Sequence, residues 1–273
     1  MSLDNIRFSV FTKCWSLTLP ELGRHISRLG FDGIELPVRP GYPVTPENVT
    51  AELPRAVKLL ADYGLKIASI AGPTDEKAMA ACAEASVPVI RICVGVGKEE
   101  GYMAGMARLQ REYDVLAPLL AKHGVTLGIQ NHIGNHDVCN ALGLRYLIGK
   151  YDPKQIAAVW DAGHNGLEGE PPETALDVVW SHLCMVNLKS AFWERTNGPE
   201  AEIAEWRAYW TTGRQGRANW PRVIAELKRR DYTGTVCLTA EYTNATGATR
   251  LLEGEAVDQP VTEDLAFVKS LFA

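Results

Sequence analysis

The chain has 273 residues, 46% hydrophobic and 22% charged, with a formal net charge of -5. This is ordinary globular composition, long enough for one large core or two small ones. The acidic balance and the lack of a basic stripe exclude a typical nucleic-acid binder. No apolar run approaches the roughly 18–20 residues of a membrane span.

Taken in order, strand-like and helix-like segments alternate. Ile6–Phe11 reads as a strand, and Leu19–Leu29 as a helix with Leu22, Ile26 and Leu29 on one face. Gly33–Leu36 is a second strand, followed by a helix from Pro46 to Tyr63 that stops at Gly64. Leu65–Ile70, Val89–Val94 and Val125–Ile129 are strands three to five, with helices at Asp75–Ala85 and Tyr102–His123 between them. Ala141–Lys150 is helical, Ile156–Trp160 is strand six, Pro171–Trp180 a short helix, and Leu183–Leu188 strand seven. Ala218–Arg230 is a helix, Thr235–Ala240 strand eight, and Thr262–Phe272 a closing helix. Eight strands, each followed by a helix, in this length predict a single-domain (β/α)8 barrel. A doubly wound sheet is the weaker alternative, since there is no glycine-rich first turn.

Six cysteines, Cys14, Cys82, Cys93, Cys139, Cys184 and Cys237, are scattered without a C-x-x-C pair. Free core thiols are therefore expected rather than disulfides or a thiolate zinc site. No apolar leader opens the sequence, so a soluble cytoplasmic protein is expected. The basic run Lys228-Arg229-Arg230 ends a helix, where it meets the helix dipole and needs no partner. No phosphate-cradling loop stands out, so no nucleotide cofactor is expected. Two connections are too long for turns. Residues 190–217 carry Phe192, Trp193, Trp206, Tyr209 and Trp210, and 242–260 follow the last strand. An aromatic loop of this kind is either a lid over a site or a contact in a homo-oligomer.

In a barrel, the residues just after each strand converge on one mouth. These positions supply Trp15, Glu35, Arg39, Gln130, Asn131, His132, Asp161, His164, Asn187, Lys189 and Glu241. Polar residues close four successive apolar runs, which favours a polar site over coincidence. On its own stretch, Asp161 reads equally as a turn cap. Its place at the end of the sixth strand favours the site.

The endings Ile129-Gln130-Asn131-His132, Trp160-Asp161-Ala162-Gly163-His164, Val186-Asn187-Leu188-Lys189 and Thr239-Ala240-Glu241 resemble those of the xylose isomerase-like TIM barrels. This superfamily includes sugar isomerases and epimerases, hydroxypyruvate isomerase, inosose dehydratase and endonuclease IV. Phe31-Asp32-Gly33-Ile34-Glu35-Leu36 and Gly213-Arg214-Gln215-Gly216 fit the same pattern. The resemblance implies one divalent metal held by Glu, Asp, His and Glu from the last four strands. Asp161 and Glu241 match, but the first and third positions are Gln130 and Asn187. His132 and His164 match histidines that line such sites, with His164 or His132 able to compensate as a ligand.

An all-oxygen set of Gln130, Asp161, Asn187 and Glu241 would suit Mg²⁺, Mn²⁺ or Ca²⁺ better than Zn²⁺. An amide is no usable base, so two-base epimerisation through Gln130 is disfavoured. Glu241 can still take a proton beside a carbonyl, with Lys189 stabilising the enediolate and His132 or His164 protonating a leaving hydroxyl. That predicts an aldose–ketose isomerase, or a keto-sugar or polyol lyase, acting on a small carbohydrate. Trp15 and Trp193 would contact substrate, Trp15 as a wall for a sugar face. Glu35 and Arg39 form a rim ion pair or bind hydroxyls. His136 is expected to face solvent. In the competing reading Glu241 and Lys189 are a structural ion pair, His132 is a core histidine, and the barrel binds a sugar or partner protein without catalysis. An endonuclease IV-like repair enzyme is disfavoured by the acidic balance and the six histidines.

Overall fold

The computed structural model describes residues 5–97, 99–134, 138–246 and 250–273; His136 lies outside them. The strands are β1 (Ile6–Phe11), β2 (Gly33–Pro37), β3 (Lys66–Ala71), β4 (Val89–Cys93), β5 (Thr126–Gln130), β6 (Ile156–Asp161), β7 (Leu183–Leu188), β8 (Ser190–Arg195), β9 (Trp206–Thr211) and β10 (Gly234–Leu238). All but β8 and β9 form a closed parallel barrel in the order β1-β10-β7-β6-β5-β4-β3-β2. Around it lie α1 (Leu19–Leu29), α2 (Val49–Ala61), α3 (Glu76–Glu84), α4 (Tyr102–His123), α5 (Ala141–Ile148), α6 (Ala162–Glu168), α7 (Pro172–Val179), α8 (Trp220–Arg229) and α9 (Asp258–Phe272). The expected (β/α)8 barrel is the fold.

Period-two alternation sorts the strand residues. Ile34, Ile90 and Val186 belong to the large core shared with Leu22, Leu53, Leu120 and Trp220 of the helices. Phe11, Ala71, Val159, Met185 and Cys237 form a separate, smaller apolar cluster inside the barrel. Two charges share that interior. Arg91 donates to both oxygens of Glu35, from Nε at 2.9 Å and Nη2 at 2.6 Å. Its guanidinium lies 4.6 Å from the centre of the Phe11 ring, and Ser69 Oγ adds a 3.1 Å bond to Glu35. Both ends of the pair are buried.

Several elements differ from the sequence reading. The stretch after Asp161, where a turn was the alternative, is the helix α6 with Asp161 as its N-cap. Residues 190–217 are not a loop: β8 and β9 pair antiparallel, from Ser190 with Thr211 to Arg195 with Trp206. The aromatics there come as adjacent pairs, Phe192-Trp193 and Tyr209-Trp210, and so point to both faces of the hairpin. None of the cysteines among the described residues forms a disulfide. The basic run is engaged after all: Arg229 and Arg230 pair with Glu226, and Lys228 reaches the Phe272 carbonyl at 3.1 Å. No helix among the described residues is long and apolar enough to cross a membrane.

Asp264 of α9 ties down the end of the chain's longest excursion. It accepts the Gly213 amide at 2.8 Å and the Tyr242 hydroxyl at 2.9 Å. Burial pushes its carboxyl up to about 6 from 3.8, against these two hydrogen bonds. The folded state therefore holds this proton more tightly than the unfolded chain does. Its stabilising contribution is full below about pH 4 and is lost as pH rises through about 6, by roughly 3 kcal/mol at most.

Two outcomes follow. In urea denaturation, Arg91→Met should cost about 3–5 kcal/mol by stranding Glu35, while Glu35→Leu with Arg91→Met should recover most of that loss. Between pH 4 and 6, the stability of the wild type should fall relative to Asp264→Asn. A difference that does not vary with pH would remove Asp264 as its cause.

Candidate functional site

Strand register explains why distant residues meet. Cys93 of β4 lies opposite Gln130 of β5, and Asp161 of β6 opposite Asn187 of β7. Cys93, Gln130 and Asp161 end their strands and Asn187 is next to last in its own, so their side chains gather at the carboxyl-terminal mouth.

Asp161 is both a cap and a site residue. Its Oδ1 accepts the amides of Gly163 and His164 at 2.9 and 3.0 Å, opening α6. Its Oδ2 takes the Gln130 side-chain amide at 2.7 Å and faces Lys189 Nζ at 3.7 Å. Asn131 holds its backbone from both sides, accepting from its amide at 2.7 Å and donating to its carbonyl at 3.1 Å. Gly163 has to be glycine here, because a Cβ would meet Lys189 Cγ at 2.5 Å.

Lys189 Nζ donates to Glu241 Oε2 at 2.7 Å, and Lys13 Nζ donates to the other oxygen, Oε1. Glu241 follows Ala240, a non-glycine residue at φ 53°. That left-handed turn costs about 1–2 kcal/mol and immediately precedes the carboxylate. Burial would raise the Glu241 carboxyl, but the two ammonium groups outweigh it and hold it well below the usual range. Burial likewise opposes the charge on Lys189, but Asp161 and Glu241 outweigh it and keep the ammonium protonated. Burial pushes Asp161 up, with Lys189 and the α6 amides opposing.

The two histidine rings are in contact, centres 4.0 Å apart and planes tilted by 42°, yet their environments differ. His164 is fully buried, and its Nδ1 accepts the Ile133 amide at 3.2 Å. Its Nε2 must then carry the hydrogen, and that atom is buried without a protein partner. Burial first, then Lys189 and His132, hold its basicity well below normal, so it stays neutral. His132 Nδ1 lies 2.7 Å from the Ile133 carbonyl and donates to it, making Nε2 the basic nitrogen.

Two cavities meet at Lys189, His132 and Glu241. The inner one, about 190 Å³, is lined also by Lys13, Arg39, Arg91, Gln130, Asn187 and Thr239. The outer one, about 640 Å³, runs under the hairpin past His164, Trp193, Trp206 and Trp210. Trp210 of β9 roofs the site, its ring centre 4.3 Å from Lys189 Nζ and 5.1 Å from the His164 ring. Trp193 is at the outer cavity, its indole bonded to the Leu167 carbonyl at 3.1 Å.

Gln130, His132, Asp161, His164, Asn187, Lys189 and Glu241 are therefore brought together. Trp15 is not among them: it is buried, with its indole on Asp258 at 3.1 Å and its ring edge against His25. Its strand had ended at Phe11, and the intervening short turn carries it out toward α1. Glu35 makes no rim pair with Arg39, since Arg91 holds it inside the barrel. Arg39 does reach the inner cavity. The sequence reading missed Lys13 and Arg91. A lysine two residues past β1, and an arginine at the centre of the apolar run Val89–Cys93, were the signals for them.

A model of the xylose isomerase-like TIM barrel family matches residues 24–271. No curated protein matches the sequence at a significant level. Among solved structures, D-psicose 3-epimerase from Clostridium cellulolyticum, crystallised with D-tagatose, superposes with a TM-score of 0.71. It is 12% identical, over 97% of this chain and 99% of that one. A 3-keto-D-glucoside 4-epimerase from E. coli gives 0.68 at 14% identity, over 97% and 99%. A probable 3-DHS dehydratase from Bacillus anthracis gives 0.68 at 15%, over 96% and 98%. Identities this low speak for the shared fold.

The divalent metal implied by the strand endings does not fit these residues. Both oxygens of Asp161 and both of Glu241 are already engaged, and two lysines balance the two carboxylates. Gln130 turns its NH₂ toward Asp161, and the buried Nε2 of His164 carries hydrogen. The remaining donors, the amide oxygens of Asn187 and Gln130 and the Nε2 of His132, are all neutral, and neutral donors beside two ammonium groups do not hold a dication. Among the described residues, no group of three or more His, Cys, Asp or Glu is arranged to hold a metal. Thermal denaturation with about 1 mM Mg²⁺ or Mn²⁺ should accordingly leave Tm unchanged. Binding at a hundredfold excess over Kd would stabilise by about 2.7 kcal/mol, a rise of roughly 5 °C or more, and would contradict this donor inventory.

Proposed function

We propose that this chain, which belongs to the xylose isomerase-like TIM barrel family, is an isomerase or lyase that removes a proton beside the carbonyl of a small carbohydrate. The observation that carries the reading is Glu241, an ionised carboxylate at the junction of two cavities with an ammonium on each oxygen. The folds it resembles include sugar epimerases and a probable dehydratase, enzymes whose reactions suit this chemistry.

Glu241 is a feeble base while both lysines hold it. A substrate whose carbonyl and neighbouring hydroxyl oxygens lodge against Lys13 and Lys189 takes over those N–H donors. The change works in two directions at once: the carbonyl is polarised, and Glu241 recovers basicity. Glu241 then takes the proton from the carbon beside the carbonyl. The C–H electron pair forms the C=C bond, and the carbonyl oxygen becomes an enediolate oxyanion facing the ammonium groups. His164, neutral and with its Nε2–H unpaired, adds a hydrogen bond to a substrate oxygen. For an aldose–ketose isomerisation the proton of the neighbouring hydroxyl passes to the oxyanion, and Glu241 returns its proton to the former carbonyl carbon while the neighbouring oxygen becomes the new carbonyl. In a lyase, the β C–O bond breaks instead, and protonated His132 gives its Nε2 proton to the departing hydroxyl, which leaves as water. His164 is not the acid in either case, because its surroundings keep it neutral.

Gln130 has no place in proton transfer; it orients Asp161, which in turn holds Lys189. With one carboxylate base, the site is suited to these reactions rather than to two-base epimerisation.

The test is wash-in of deuterium from D₂O into a panel of ketoses, aldoses and their acids, followed by NMR. Glu241→Gln should lower exchange by about 10²–10⁴-fold with the melting temperature preserved. Lys189→Met should lose exchange as well, whereas Gln130→Glu should not create a second base that epimerises. Normal exchange in Glu241→Gln would sink the assignment, and exchange with no member of the panel would favour a barrel that binds without catalysis.

A further inference from the structure

We propose that the compound this site accepts is an acidic carbohydrate, a polyhydroxy carbonyl compound bearing one carboxylate, and that Arg39 binds that carboxylate. This rests on the proton-transfer reading above and names its substrate class.

The charges of the inner cavity do not cancel. Lys13, Arg39, Arg91 and Lys189 line it. Arg91 is matched by Glu35. Lys189 and Lys13 share Glu241, with Asp161 behind Lys189. Four cations therefore face three carboxylates, in a chain whose net charge is -5. The surplus is Arg39: among the described residues it has no ion pair, and its guanidinium lies 5.7 Å from the centre of the Phe11 ring. At the exposed lip it stays hydrated while the cavity is empty. A ligand sealing the mouth would desolvate it, which is costly unless the ligand brings an anion.

The remaining lining suits hydroxyl groups. Asn187 Oδ1 and Nδ2 and Thr239 Oγ1 are buried at the inner cavity without any hydrogen-bond partner. Orphaned donors and acceptors of this kind are costly in a folded protein, and the hydroxyls of a polyol would satisfy them. The inner volume of about 190 Å³ corresponds to roughly six waters at about 30 Å³ each, room for a small polar molecule. Arg39 also borders an adjoining cavity of about 440 Å³ that shares Arg91 and Cys93 with the inner one. An anionic end can therefore extend past the inner cavity while the carbonyl remains between the lysines. A forked guanidinium matches a carboxylate in two parallel hydrogen bonds.

Matched pairs isolate the carboxylate: D-glucuronate against D-glucose, D-galacturonate against D-galactose, and D-fructuronate against D-fructose, by calorimetry at low ionic strength. At least one acid should bind about tenfold or more tightly than its neutral partner. Arg39→Met should erase that advantage, and Arg39→Lys should restore part of it, both with an unchanged Tm because the residue is exposed. Equal or tighter binding of the neutral sugars, an undiminished preference in Arg39→Met, or no binding by any of the acids would overturn the proposal. The two readings fail separately. An acid held through Arg39 without deuterium wash-in would leave the binding inference standing and remove the proton-transfer reading. Exchange confined to neutral sugars would do the reverse.

Discussion

A charge inside a closed barrel has no water to turn to, so every charge there must be answered by another. Two tiers in this molecule obey that constraint. The lower is the Glu35–Arg91 pair among Phe11, Ser69 and Met185, within the barrel interior. The upper is the chain Asp161–Lys189–Glu241–Lys13 at the mouth. In both, side chains from strands far apart in sequence are locked to one another, and breaking any single pair leaves a charge whose desolvation is no longer compensated. With the two carboxylates of the upper tier already answered by two lysines, the mouth has little use for an added dication.

The two departures from the family pattern belong to the same arrangement. A carboxylate at 130 would add a negative charge that the lysines do not balance. The amide instead donates to Asp161 and leaves the carboxylate count at two. An imidazole at 187 would be a ligand, whereas asparagine offers one donor and one acceptor to whatever enters. The ionisation of Glu241 is then governed by where the two lysine ammonium groups point.

The barrel was legible in the sequence because buried parallel strands write themselves as apolar runs, and helices stop at glycines such as Gly30 and Gly124. The clustering of Gln130, Asp161, Asn187, Lys189 and Glu241 was legible too, because the end of a strand is a fixed place in this fold. Partnership was not. Nothing in Val89–Cys93 says that Arg91 reaches Glu35 rather than solvent, since that pair is set by register across two intervening steps of the barrel. Trp15 was misplaced because three residues of tight turn suffice to rotate a side chain from the mouth to the outer layer. The hairpin was overlooked because a strand pair with one face on the mouth and one on solvent carries fewer aliphatics than a barrel strand. Lys13 sat in plain view, but a lone lysine in a turn resembles any surface lysine until Glu241 is beside it.

The hairpin leaves the barrel at Ser190 and comes back at Thr211, two residues that are paired with each other. Its stem is therefore closed on itself, and the main-chain hydrogen bond from Arg217 to Ala191, 2.7 Å long, ties the returning chain to the stem before α8 begins. Such an excursion is topologically detachable: residues could be added or removed beyond the stem without moving β7, α8 or the lysine that joins them. In a lineage of barrels with a common floor, access to the mouth could thus drift through this one appendage while the chain of lysines and carboxylates beneath it remained in place.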